Sequence, residues 1–460
     1  MARIFKPVLI VLLFAAGAAA LVFGVFGGRV DLDGAGVPAQ VKFDTPEAHY
    51  EKVEASRADA VPAPTPLFAV PPVPPPLAPY WTDFRGPLRD GHYTQTKILT
   101  DWPEGRLKLL WQLPIGDGWA SFVVADGLAF TIDQRKGQEV IAAYDAARGS
   151  ERWTYRYDAD FQESMGGPGP RATPTWHDGK LYSLGAEGDL VVLDAKTGKF
   201  LWRKNILIDN NAENLPWAMS ASPLIVDDLV IVQPGGPQDK SVVAYNKLTG
   251  DKVWGSLSEK AAYASPILAT LNGQRQIITV TAVRVVGLNP ADGKLLWEFP
   301  WKTEYDVNSS SPILVGPNQF VIASGYDHGT ALVEVAPDGT TKAIWQNKKL
   351  KTKFSTAVLH EGHLYGLDDA ILACVDVKTG EQKWKGGRYG YGQLLLASGH
   401  LVVTTEQGDI ALVKAVPTGH EELARFTALD GKTWNVPAIA DGRLFVRNTR
   451  EMATFQIGAP

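Results

Sequence analysis

Cysteine is nearly absent from this chain: Cys374 stands alone. One thiol permits no intramolecular disulfide, and it excludes a structural zinc site built from two or more cysteines. No cysteine lies near the N-terminus, so lipid anchoring there is excluded as well. Positive charge is not in excess. A net charge of −5 offers no basic footprint for nucleic acid. Several catalytic signatures are also missing. No Gly-x-Ser-x-Gly nucleophile elbow is present. "HEGH" (360–363) falls in a hairpin turn and is not the His-Glu-x-x-His helix of a zinc protease. The glycine-rich stretch 160–172 lacks the Gly-Lys-Ser/Thr ending of a phosphate-binding loop. Long helical patterns are absent from residue 80 onward.

Glycine and tryptophan are plentiful, at 45 and 14 residues. Together they suit many turns, each with a large side chain to bury. Arg3 and Lys6 precede an uncharged run from Pro7 to Gly28. A run of about twenty apolar residues spans a bilayer as a helix, and the preceding positive charges keep its start in the cytoplasm. Residues 1–28 are therefore expected to be an N-terminal transmembrane anchor. A cleaved signal peptide is the competing reading, because "AGAAA" (16–20) holds small-residue cleavage patterns. Residues 29–79 read as a disordered tether, with "VPAPTPLFAVPPVPPPLAP" (61–79) too rich in proline for helix or sheet.

From residue 80 the chain repeats itself. One unit runs from an apolar strand through Asp or Asn and a turn with Gly to Trp: "AAYDAARGSERW" (142–153), "VVLDAKTGKFLW" (191–202), "VVAYNKLTGDKVW" (242–254), "VVGLNPADGKLLW" (285–297) and "LACVDVKTGEQKW" (372–384). Weaker copies are "VEVAPDGTTKAIW" (333–345) and "LVKAVPTGHEELARF" (412–426), where Phe426 replaces Trp. The acidic or amide residue can bond the turn backbone, Gly supplies positive φ, and Trp needs a neighbour to bury it. A second hairpin precedes each unit and occurs eight times, from 121–132 to 436–446. Two hairpins make a four-stranded blade, and the spacing matches a β-propeller. The eighth blade lacks an outer strand, which "LKLLWQL" (107–113) supplies, with Trp111 in the tryptophan position. Residues 80–460 are predicted to form an all-β, eight-bladed propeller of four-stranded antiparallel blades, closed by the N- and C-terminal strands.

The Asp-x-x-Thr-Gly-x-x-x-Trp pattern resembles that of the PQQ-like propeller family, over about four-fifths of the chain. Trp111, Trp153, Trp202, Trp254, Trp297, Trp345 and Trp384 match its blade-docking tryptophans. The family holds BamB-like scaffolds and quinoprotein alcohol dehydrogenases. The dehydrogenases, as a family, bind pyrroloquinoline quinone (PQQ) and calcium at the axis, between a tryptophan and a disulfide of adjacent cysteines. This chain has no such cysteine pair. BamB itself is a lipoprotein, and this chain lacks the lipid-acceptor cysteine. A motif of this kind identifies the fold and leaves the function to the site.

Loops leading into the innermost strands cluster at one mouth of a propeller, where function belongs. Their first small residues, from Ser121 and Thr173 to Gln393 and Val436, read as axial packing. Just before them come larger residues that form a candidate ligand funnel: Trp119, Arg171, Tyr263, Asn308, Lys353, Tyr391 and Trp434, with Trp217 from the long loop 210–222. Lys348, Lys349, Lys351 and Lys353 could draw an anionic ligand or acidic partner. Two functions follow. The leading one is a membrane-tethered scaffold, with its propeller on the periplasmic side, that binds an envelope protein or small ligand at the mouth and carries no cofactor. The alternative is a PQQ- and calcium-dependent dehydrogenase of an alcohol or sugar. In it Glu163, Asp306 and Asn308 would supply calcium's oxygen ligands, and Asp306 or Glu163 would take the substrate proton.

Overall fold

Alternation of apolar and polar residues across short strands, punctuated by Gly turns, builds eight blades of four antiparallel strands around one axis, with His92–Tyr93 adding a short parallel strand to the inner edge of blade 7. The computed structural model describes residues 29–42, 46–58 and 80–458. Innermost strands run from Val123–Ala125 in blade 1 to Ala438–Ala440 in blade 8. Blade 8 is completed by Lys108–Pro114, whose Trp111 pairs with Thr454. The ring thus closes between the two ends of the propeller sequence, as the repeats require.

The repeated turn is a docking device. Asp194 Oδ1 accepts the Thr197 backbone N–H at 2.9 Å and its hydroxyl at 2.6 Å. That hydroxyl bond holds the carboxyl below its usual range. Gly198 takes φ 70°, and a Cβ there would lie 2.6 Å from the indole of Trp153 in the preceding blade. Glycine is required on both counts. The Trp153 indole N–H then donates to Ala195 O at 3.0 Å. Trp111, Trp202, Trp254, Trp345 and Trp384 likewise donate to carbonyls of the next blade's turn, Ala146, Lys247, Pro290, Val377 and Val416. Trp297 differs. The turn facing it is a weaker copy, and its indole N–H goes to Gln276 Oε1 within its own blade. Phe426 has no covalent turn to meet at the ring closure. It packs instead on Trp102 and Phe455, with ring centroids 5.7 and 5.2 Å away.

The small residues at the axis do more than pack. Thr173, Ser265 and Thr356 hydroxyls accept the backbone N–H of Ser121, Ser222 and Ser311 in the preceding blades, at 2.9, 2.9 and 3.0 Å. Gln393 bridges Phe354 O and Trp434 O across two blades. These bonds stitch the ring at its narrowest point.

Residues 80–93 form a strap across the far end of the axial channel. Val124, Trp176 and Leu396, each three residues beyond the axial Ser121, Thr173 and Gln393, donate backbone N–H groups to the strap carbonyls of Trp81, Thr82 and Gly91. Two arginines rise from it into the channel. Arg89 pairs with Asp83 at 3.0 Å and donates to the carbonyls of Ser222, Pro223 and Pro266. Arg85 donates to Ala357 O and Leu394 O from the opposite blades. Both are buried, and both adopt positive φ, 64° and 58°. Such backbone strain persists where surrounding bonds over-determine it. Burial lowers the Arg85 guanidinium to about 10, so it stays charged at neutral pH.

The expected tether needs correction. Residues 29–58 carry a hairpin, β1 (Arg29–Leu32) and β2 (Pro38–Lys42), and a helix, α1 (Pro46–Ala58). Proline at the first turn, Glu47 beside it and Arg57 in the last turn are helix signals. Helix α1 buries Tyr50 and Val53 against the propeller. Tyr50 donates to Asp117 at 2.5 Å, His49 bonds Ile115 O at 2.7 Å, and Arg57 pairs with Glu151 at 2.7 Å. These contacts, which no local reading supplies, make the segment part of the fold. The proposed anchor, residues 1–28, and the proline-rich stretch 61–79 lie outside the described residues. Among the described residues no helix is long and apolar enough to cross a membrane.

The docking geometry predicts that Trp202→Ala costs about 3–5 kcal/mol of stability, the usual range for a buried tryptophan emptied to alanine. Urea unfolding followed by far-UV circular dichroism measures it. A loss below about 1 kcal/mol would show that the indoles fill space without holding blades together.

Candidate functional site

The mouth opposite the strap is walled by one continuous arc of aromatic rings. Trp119 and Trp434 lie 4.9 Å apart, Trp434 and Phe354 5.0 Å, and Phe354 and Tyr391 5.8 Å. Two ammonium groups sit on this wall. Lys353 Nζ is 4.9 Å from the Tyr391 ring and 5.0 Å from that of Tyr326. Lys432 Nζ is 4.4 Å from Trp434 and 5.5 Å from Trp119. Cation–π attraction holds both in place, and burial lowers the Lys353 ammonium below its ordinary value. Glu406, itself buried, lies among them. Its carboxylate accepts the Trp434 indole N–H at 2.9 Å and the Tyr391 backbone N–H at 3.2 Å.

A polypeptide turn already occupies this arc. Asp33 to Val37 join β1 to β2, and Asp33 Oδ1 accepts the N–H groups of Ala35 and Val37 at 2.9 and 2.8 Å. Gly34 N–H donates to Glu406 Oε1 at 2.7 Å, Lys353 donates to Gly34 O at 2.5 Å, and Lys432 donates to Leu32 O at 3.3 Å. Gly34 lies flat on Tyr391, and any Cβ would overlap the ring.

Of the predicted funnel, Trp119, Lys353, Tyr391 and Trp434 come together. Trp217 and Tyr263 form a separate pair, 6.0 Å between centroids. Arg171 is a clamp for its own loop. It donates to Gly167 O and Gly169 O, pairs with Glu163 at 3.3 Å and lies over Phe161. Asn308 is fully buried. Its amide donates to Thr281 O and Trp301 O, and its oxygen accepts from Ser324. Of the basic loop, Lys348 pairs with Asp327 and Lys351 with Asp369, which leaves Lys353 as the lysine of that loop seated on the arc. Glu406, Lys432, Phe354 and Tyr326 were missed by sequence reasoning. "DGKTW" (430–434) was the available signal for Lys432, a cation two residues before a funnel tryptophan.

The calcium set does not fit. Glu163 spends both oxygens on its own loop, accepting from Met165 N and Gly166 N. Asn308 is buried, with its oxygen accepting from Ser324 and its amide N–H groups held by backbone carbonyls. Asp306 stands in the loop before blade 5, and Glu163 in the loop before blade 2. Among the described residues no three His, Cys, Asp or Glu side chains are grouped to hold a metal.

Comparison with known proteins agrees with the repeat. A family model described as outer membrane protein assembly factor BamB matches residues 103–204 and 136–386. BamB of Burkholderia pseudomallei is 24% identical over 254 residues, 53% of this chain and 59% of that protein. A 1-butanol dehydrogenase (cytochrome c) of Thauera butanivorans is 28% identical over 123 residues, 26% of this chain. The chain spans 17% of the dehydrogenase's length, less than two thirds of either relative. Among solved structures, BamB from Moraxella catarrhalis superposes with TM-score 0.57 at 17% identity, covering 76% of this chain and all of that one. A europium-containing methanol dehydrogenase superposes with TM-score 0.59 at 13% identity, covering 80% of this chain and 89% of that one. At such identities the two superpositions speak for the fold alone.

One titratable group lies buried close to the mouth loop 160–172. Glu139 accepts hydrogen bonds from Tyr157 and from Ala186 N, and burial pushes its carboxyl from 4.5 up to about 7. Between about 4.5 and 7 the folded state holds a proton that the unfolded state has released, so stability falls as pH rises through that window. Glu139→Gln is expected to remove this slope. Its stability relative to the parent should rise from pH 5 to pH 8 in parallel denaturant titrations. A constant difference would show that Glu139 is ionised throughout.

Proposed function

This chain belongs to the PQQ-repeat family described as outer membrane protein assembly factor BamB, and on that premise we propose that it is an envelope scaffold which holds a protein partner at the propeller mouth. One observation carries the reading: the polar groups of the aromatic arc, Lys353, Glu406 and Lys432, are directed at backbone carbonyl and N–H groups of a polypeptide. Backbone recognition between aromatic walls is the chemistry of a peptide site. Acid–base catalysis needs a carboxylate within reach of a substrate proton, and Glu163 is engaged by its own loop. In this reading residues 1–28 tether the propeller to a membrane on its periplasmic side, and the partner is a protein of that compartment.

The dehydrogenase reading draws on the relatives that are alcohol dehydrogenases and on the Trp119–Trp434 pair, two indole faces that a planar cofactor could meet. The poor fit of Glu163, Asp306 and Asn308 to calcium weighs against it.

Site-specific photocrosslinking from position 391 in native membranes tests the scaffold. A discrete adduct is expected. Lys353→Glu with Trp434→Ala should reduce it at least about tenfold, since removing an aromatic anchor and reversing a central charge strike the residues that dominate such interfaces. An adduct unchanged by the double substitution would reject the mouth as the site. Titration with PQQ and calcium should leave tryptophan fluorescence unchanged. Stoichiometric quenching with alcohol-dependent dye reduction would reject the scaffold in favour of the enzyme.

A further inference from the structure

The mouth is built around a turn of its own chain. Three charged side chains converge on Gly34 of the Asp33–Val37 turn and on Leu32 at the strand end before it. Glu406 receives Gly34 N–H, Lys353 grips Gly34 O and Lys432 grips Leu32 O. None of these bonds reads a side chain. The only sequence demand is glycine at position 34, where Tyr391 leaves no room for a Cβ. The turn also carries bonds of its own. Asp33 closes it through Ala35 N and Val37 N, and Gly36 bonds back to Asp33 O at 2.9 Å with φ 80°. The two strands pair from Arg29–Lys42 inward. A backbone-read turn lying in a cradle of aromatic rings and charged groups is a ligand held in cis.

We propose that the mouth is a receptor for a polypeptide turn of the Asp-Gly type, and that the chain's own β1–β2 hairpin occupies it as an autoinhibitory plug which a partner must displace. The inference deepens the scaffold reading above and rests on it for the partner's existence. A covalently linked occupant competes at a high effective concentration. An incoming turn therefore sees the site only in the fraction of molecules whose hairpin has left it, and its apparent affinity is reduced by that fraction.

Gly34→Val in the full chain tests the plug. The substitution lies outside the propeller and its docking turns, so blade folding, checked by circular dichroism, should be unaffected. Hydrogen exchange of the full chain should show the hairpin amides losing protection, along with Tyr391 N–H. Lys353→Met, on the receptor side, should have the same effect on the hairpin. If neither variant changes exchange of residues 30–37, the hairpin is not seated on the mouth and the proposal fails. The receptor is tested with a cyclic peptide of residues 29–42, closed across the Arg29–Lys42 pair. It should bind the Gly34→Val chain at least about tenfold more tightly than the parent, and a peptide carrying the same valine should not bind. Equal affinity for parent and variant, or no binding to either, would overturn it. These readings need no envelope partner. Failure to crosslink a partner while the peptide results hold would reject the scaffold and leave the turn receptor standing.

Discussion

An indole lying over a glycine of the next blade is the contact on which this molecule depends. A four-stranded sheet leaves its tryptophan with one face uncovered, so a single blade has no stable place to end. Docking Trp153 on the Gly198 turn transfers that problem to blade 2, and so on around the ring. The transfer stops only when the last blade meets the first. Trp111, on the strand that completes blade 8, meets the turn of blade 1 through Ala146 O. Closure is therefore a consequence of local chemistry repeated, and it leaves unpaired only the short outer edge of each blade.

A closed ring creates an axis, and the axis has to be filled. Inner strands present a crown of backbone carbonyls there, including Ser222, Pro223, Pro266, Ala357 and Leu394. Buried carbonyls without donors are costly. Arg85 and Arg89 each offer several N–H groups on one side chain, and they answer blades on opposite sides of the channel. The strap that carries them is bonded to blades 1, 2 and 7, so the same segment that ends the channel also braces the ring near its closure.

At the mouth, loops that share one frame diverge in what they carry. Those before blades 2 and 5 spend their polar groups internally: Arg171 and Glu163 clamp a glycine-rich loop, and Asn308 anchors a buried one. The loops before blades 6, 7 and 8 turn aromatic rings and charged groups outward onto a single arc. This asymmetry gathers the outward-facing rings and charges on one side of the mouth. It also explains why residues at equivalent places in the repeat do not share a role.

The repeat could be read in full from the chain, because each of its residues acts on a neighbour close in sequence or on an identical neighbour one blade away. Blade number, strand pairing and the completion of blade 8 by Lys108–Pro114 follow from that register. The mouth was legible in part. Trp119, Lys353, Tyr391 and Trp434 were found by their equivalent positions, whereas Arg171 and Asn308, found the same way, turned inward. Position in a repeat locates a Cα; the direction of a side chain depends on which buried carbonyls lie nearby. Glu406 was invisible for the same reason, and so were Arg85 and Arg89, while Lys432 was signalled only by its place two residues before Trp434. Helix α1 carried its terminal signals openly, yet its docking on Asp117, Ile115 and Glu151 joins residues 66 or more positions apart in the sequence. The sequence by itself determined the blades and their closure, since those contacts repeat with the chain. Only the tertiary structure decided what fills the channel and what lies in the mouth, since those contacts are each made once, between segments that folding alone brings together.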